Sequence, residues 1–212
     1  MTRTRVVVVD SGIDAGHPAL RGQSVQRGPA FGPSGVLAGE EPAADVLGHG
    51  TAVAATIVRS LAGARPIELW ALRVFERSPV CDFAAVLHAL RHALTLQPAV
   101  VNLSLGTTSL RHRRELQELV AAAGRQRTRL VAPATYGGLP CDPGNLEGVE
   151  AVVGDPNVLP QFGNLGQHAG RLLWFASPLP PPDADGVRRL LARGDSLAVA
   201  AVTGCLLRCL PQ

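Results

Sequence analysis

Three polar residues stand where apolar runs begin or end. Asp10 closes "RVVVVD" and leads into "SGID". His49, between two glycines in "LGHGTAVAATI", opens a run of small residues, and Ser196 opens another in "GDSLAVAAVTG". A carboxylate, an imidazole and a hydroxyl are the set that nucleophilic catalysis needs. Serine is a weak nucleophile at its own pKa, so an imidazole must take its proton and a carboxylate must fix that imidazole's tautomer. A hydroxyl at a helix N-terminus gains further, because the dipole and free N–H groups stabilise a developing oxyanion. Each residue alone has a plainer reading. An aspartate after a buried first strand is common in nucleotide-binding folds, a histidine at a helix start often faces solvent, and serine is a preferred N-cap.

The elements that must position these residues follow from the spacing of apolar side chains. Residues 5–10, 67–75, 99–106, 129–135, 150–155 and 171–177 are short, continuous, β-branched runs and predict strands. Residues 50–63, 82–96 and 110–126 carry helical spacing, the second stopping before Pro98. Buried strands spaced by helices are the pattern of a parallel sheet covered on both faces, an α/β fold. Chemistry in such sheets gathers outside the carboxyl ends of the strands, which is where Asp10 falls. Two Pro/Gly-rich stretches, 27–44 and 177–186, are read as loops, and "ERSPVCD" (76–82) as one rim of a pocket.

Taken in order, Asp, His and Ser follow the sequence of the subtilisin triad. "VDSGID" resembles the Asp motif of the subtilisin-like serine proteases. "HGTAVAA" resembles their H-G-T-x-V-A-G motif, and "GDSLAVAAVTG" their G-T-S-M-A-x-P-x-V-A-G motif. "VVNLSLG" is similar to the strand on which these enzymes lay substrate; "AVVGD" and "QFGNLG…LLWFASP" are similar to later landmarks. The resemblance covers nearly the whole chain and implies one subtilisin-like peptidase domain over 1–212, with a mostly parallel sheet and helices on both faces. It implies Asp10, His49 and Ser196 as the catalytic residues, and Leu103, Ser104, Leu105 and Gly106 as the substrate-pairing segment.

The departures from the family are as informative. The oxyanion asparagine of the family falls at Tyr136 in "LVAPATYGG". Losing that amide costs subtilisin about 10²–10³ in kcat. A tyrosine OH donates a hydrogen bond, so Tyr136 either takes the amide's place or fills the site, and the sequence leaves both open. Asp195 replaces a threonine and Ala200 a proline in the serine motif, and a charge at 195 would oppose the oxyanion. Asp14 matches a calcium-binding position, but "RSLAGARPIELW" runs straight to the next strand without the family's loop, so Asp14 is expected to cap a turn with no metal bound. The chain ends in "CLLRCLPQ", where relatives continue with another helix and strand, so a C-terminally truncated sheet with an exposed edge is expected, covered by a partner subunit or by homo-oligomerisation.

Composition narrows the rest. The 212 residues are 46% hydrophobic and 17% charged, with net charge +3. All basic residues are arginine, and aromatics are only 4%, so the stacking platforms of a nucleic-acid binder are not expected. "RHRRE" (111–115) is read as a solvated helix face. No apolar run spans a bilayer and the start lacks a signal-peptide pattern, so a cytoplasmic location is expected, with no membrane partner. The four cysteines show no metal-ligand spacing, and Cys205 and Cys209 are read as buried free thiols; no cofactor is expected. Two functional readings result: a peptide- or precursor-processing serine endopeptidase working through an acyl-enzyme, and a weakened pseudo-peptidase kept as a peptide-binding or assembly subunit. A nucleotide-binding domain is disfavoured, since no G-x-G-x-x-G or P-loop follows the first strand.

Overall fold

A computed structural model describes residues 3–37, 44–181 and 194–210. Its centre is β1 (Thr4–Asp10), whose Val6–Val9 are buried on both faces. Around it lie β4 (Ile67–Arg73), β5 (Val100–Leu103), β6 (Arg129–Pro133) and β9 (Val149–Gly154). The flanks are β2 (Ser24–Gly32) with β3 (Gly35–Val36) on one side, and β10 (Gly163–His168) with β11 (Arg171–Ala176) on the other. One nine-stranded sheet results, in the order β10-β11-β9-β6-β5-β1-β4-β2-β3. It is parallel from β11 to β2, with one antiparallel strand at each edge.

Helices cover both faces, as continuous apolar strands require. Val6 and Val8 point to a core shared with α1 (His49–Ser60) and α4 (Asp195–Cys209). Val7 and Val9 point to the opposite core, under α2 (Phe83–Thr95) and α3 (Arg113–Arg125). The helix types differ for a reason. α3 buries Leu116, Leu119, Val120 and Ala123, a single stripe, while α4 is buried continuously from Leu197 to Leu207. Small residues let α4 sink into the core. At Gly204 it meets α1 so closely that a Cβ would lie 2.5 Å from Ser60 Cβ and 2.6 Å from the Ile57 carbonyl oxygen.

Several expectations change. Residues 27–32 lie in β2 rather than in a loop; Gly28, pressed against Leu72 and the Ala71 carbonyl, and Pro29 mask the strand, whose register shifts between Arg27 and Ala30. β10 and the hairpin β7 (Thr135–Tyr136)–β8 (Leu139–Pro140) have no counterpart in the sequence reading. β5 stops at Leu103, so residues 104–106 leave the ladder before Thr107 bridges Asp142. The helix over 110–126 begins as a 3-10 turn at Leu110–His112. Cys209 is exposed, because α4 has by then left the core; Cys205 is buried as expected. Part of the loop expected at 177–186 lies outside the described residues.

Candidate active site

β1 delivers Asp10 to the carboxyl edge of the sheet, fully buried. Burying a carboxylate is costly unless it is hydrogen-bonded. Among the described residues two donors meet it: the Ser11 N–H at 2.7 Å, and His49 Nδ1, 2.8 and 3.0 Å from the two oxygens. This contact fixes the tautomer, with Nδ1 as donor and Nε2 left to accept a proton. His49 is the first residue of α1, and its helix can come this close because residue 50 is glycine: any Cβ there would clash with the Gly12 carbonyl oxygen. The Asp10 hydrogen bond raises the His49 pKa above its usual value, against an opposing effect of burial; the charges of Asp10 and Asp45 add to the rise.

Ser196 is the second residue of α4, the other helix that starts at this edge. The contact at Gly204 holds α1 and α4 side by side on one sheet face, so their N-termini, with His49 and Ser196, open at the same edge. Gly194 caps α4 without a side chain, leaving the first-turn N–H groups free of side-chain caps. The Ser196 hydroxyl donates to the Ser104 carbonyl oxygen at 3.1 Å, and no hydrogen bond joins it to His49 among the described residues. Ser104 in turn is held by a buried chain: Thr203 Oγ1 donates to Asn102 Oδ1 at 2.9 Å, and Asn102 Nδ2 donates to Ser104 Oγ at 2.8 Å.

The remaining expected site residues are placed as follows. Leu103 ends β5 opposite Val9, its side chain in the core, so only its backbone faces the edge. Ser104 is buried, and Leu105 and Gly106 are half-buried. Tyr136 is 70% exposed on the β7–β8 hairpin, which rules out a ring packed into a closed pocket. The Asp195 carboxyl accepts the Gly154 N–H, tying it to the end of β9, and burial pushes its pKa up. Asp14 accepts the Gly16 N–H at 2.9 Å, a turn cap. The 76–82 segment lines a cleft of about 290 Å³ together with Phe31, Pro33 and Val74. Cys81 lies in it, its thiol pushed up to about 11 by burial and by the charges of Asp82 and Asp10.

One residue escaped the sequence reading. Asp45 accepts hydrogen bonds from the Ser11 hydroxyl, the Leu47, Gly48 and Thr51 N–H groups and the Thr51 hydroxyl. The signal for it was an aspartate a few residues ahead of a helix that lacks its own cap.

The Subtilase family model matches residues 2–148. The chain belongs to the subtilase family. The matched span holds Asp10 and His49 and ends before Ser196. A thermostable alkaline protease of Halalkalibacterium halodurans is 33% identical over 151 residues, 64% of this chain and 39% of that protein. The chain thus spans about two fifths of that relative's length. Among solved structures, a lanthipeptide protease matches 95% of this chain with TM-score 0.68 and 21% identity, over 71% of its own chain. The nisin leader peptidase NisP from Lactococcus lactis matches 96%, also with TM-score 0.68, at 20% identity and over 76% of its chain. At these identities the structures establish the subtilisin-like fold of the chain.

Proposed function

We propose that the chain is a subtilisin-like serine endopeptidase that processes peptide precursors. Ser196 is the nucleophile, His49 the general base and Asp10 the residue that orients His49. In this mechanism the Ser196 hydroxyl leaves the Ser104 carbonyl for His49 Nε2 as substrate arrives. Its oxygen bonds to the scissile carbonyl carbon while its proton passes to Nε2. His49 then gives that proton to the leaving amine, and the acyl-enzyme forms. Water gives a proton to His49 as it attacks the acyl carbon; the acyl–oxygen bond then breaks, and His49 returns the proton to Ser196, which frees the carboxylic acid product. The Ser196 N–H, at the positive end of α4, holds the oxyanion, with the Tyr136 hydroxyl as second donor. Substrate pairs as an added strand against 104–106, the segment that β5 releases from the ladder.

The observation that carries this reading is the His49–Asp10 contact, a fixed tautomer at the edge where a serine-bearing helix also begins. A processing role is supported by one structural neighbour, the nisin leader peptidase NisP. A cytoplasmic location is part of the proposal and is supported by four unpaired cysteines, as a reducing compartment keeps them. The test is cleavage of an unstructured precursor peptide by the purified protein. Asp10→Asn should lower kcat by about 10⁴, the cost of the wrong imidazole tautomer in serine peptidases, and Ser196→Ala should abolish cleavage above the background of binding alone.

The second reading, a peptide-binding pseudo-peptidase, is favoured by one contact: the Ser196 hydroxyl rests on Ser104 and not on the imidazole. Peptide binding without cleavage, unchanged in Ser196→Ala, would establish it.

A further inference from the structure

We infer that Asp45 is a positioning residue for His49, holding the imidazole's helix against β1 and adding a second negative charge to the site; this rests on the His49 role proposed above. The N-cap of α1 is Gly48, in the left-handed region (φ 75°), with no side chain to satisfy the first N–H groups of the helix. Four unpaired donors at a helix start ordinarily need a cap within a residue or two. Here the cap comes from outside the helix. Asp45 Oδ1 takes the Gly48 and Leu47 N–H groups at 2.8 and 3.1 Å, and Oδ2 takes the Thr51 N–H at 2.8 Å.

The same carboxylate reaches β1. The Ser11 hydroxyl donates to Asp45 Oδ1 at 2.7 Å and accepts the Gly50 N–H at 3.0 Å. The Thr51 hydroxyl donates to Oδ2 and accepts the Asp14 N–H at 2.9 Å. Asp45 therefore ties both sides of the β1 turn to the first turn of α1. Asp10 and His49 lie one residue from this knot on either strand of it, Asp10 beside Ser11 and His49 beside Gly48 and Gly50. Their 2.8 Å contact depends on two backbones that Asp45 joins.

The carboxylate is charged as well as connected. Burial alone would raise its pKa, but the Thr51 and Ser11 hydroxyls and the Thr51 and Leu47 N–H groups outweigh this and lower it. Among the described residues, the charged groups facing His49 are then Asp10 from β1 and Asp45 from the turn before α1; Arg73, the register partner of Asp10 on β4, lies on the same sheet face. Two carboxylates stabilise the imidazolium that forms when Ser196 gives up its proton.

The test is the His49 midpoint, followed by NMR of histidine-labelled protein, with fluorophosphonate labelling measured alongside. In Asp45→Asn the midpoint should fall by about half a pH unit, as loss of one partly solvated charge implies. Labelling should slow by about 10²-fold, the cost of displacing a reacting group by about 1 Å. A midpoint and a labelling rate equal to those of the unsubstituted protein overturn the inference. If the protein without substitution is never labelled, the endopeptidase reading fails while the NMR midpoint still decides the role of Asp45. Should Asp45→Asn not fold, Ser11→Ala keeps the charge and cuts the link next to Asp10, leaving the one through Thr51 and Asp14. Its midpoint should hold while the Asp10–His49 coupling seen by NMR weakens; unchanged coupling overturns the positioning role.

Discussion

The proton inventory of His49 has a consequence that reaches beyond catalysis. Its folded-state pKa lies above the unfolded value of 6.5. A raised pKa means the folded chain binds the proton more tightly, so protonated His49 contributes stability fully below about pH 6.5. That contribution is lost as pH rises through the folded pKa. Urea midpoints taken across this window should therefore fall with rising pH, and His49→Gln should flatten the fall. A slope identical in His49→Gln would show that the Asp10 contact does not persist in solution. Tyr136 tests the oxyanion assignment at the same scale. If its hydroxyl is the second donor, Tyr136→Phe should reduce kcat by about 10²–10³ with KM nearly unchanged. Because the ring is exposed on a short hairpin, stability should hardly change, which separates the catalytic effect from unfolding.

Helix against helix decides whether these residues meet. α1 carries His49 and α4 carries Ser196, and both helices are rich in small residues so that they can lie together over β1, β5 and β6. Gly204→Ala puts a methyl 2.5 Å from Ser60 Cβ and against the Ile57 carbonyl. Overpacking of this kind costs about 1–3 kcal/mol, roughly 2–4 °C of Tm per kcal/mol at this chain length. Calorimetry should show that loss together with slower precursor cleavage; a stable, fully active variant would mean that the helices are not locked at this point. The same scale shows what could be read in advance. Asp10, His49 and Ser196 were legible because each sits inside a contiguous local pattern, an apolar run meeting a turn or a small-residue helix. β2 and β10 were not: Gly28 and Pro29 interrupt one, and Gly163, Gly166 and the polar Asn164 and Gln167 give the other no apolar rhythm. Asp45 was hidden for another reason. Its partners include Ser11, 34 positions earlier, a pairing that only the folded β1 turn brings within reach.

Across the whole molecule the sheet is asymmetric. Its β3 edge is a two-residue strand, while β10 is six residues long and carries no aspartate, glutamate, arginine or lysine. Leu165 of β10 and Leu172 of β11 are 54% and 67% exposed, and Phe162 just before β10 is 40% exposed. A long edge strand without such charges, with exposed apolar side chains beside it, favours pairing with another strand. Sedimentation velocity should show concentration-dependent self-association that Leu172→Glu reduces; a monomer at every concentration would overturn the homo-oligomer expected from the sequence. The arginine-rich face of α3 has a blander role. Arg114 pairs with Glu118 at 3.4 Å and Glu115 with Arg91, exposed or half-exposed ion pairs that contribute little to stability, while Arg113 reaches the buried Asp142 at 3.3 Å.

The most direct measurement is covalent. The purified protein is treated with a fluorophosphonate, and the modified residue is located by mass spectrometry at several pH values. One adduct per chain is expected, on Ser196, forming faster as pH rises through the His49 pKa and absent from His49→Gln. No adduct on Ser196 at any pH, or a rate indifferent to His49, would contradict the account.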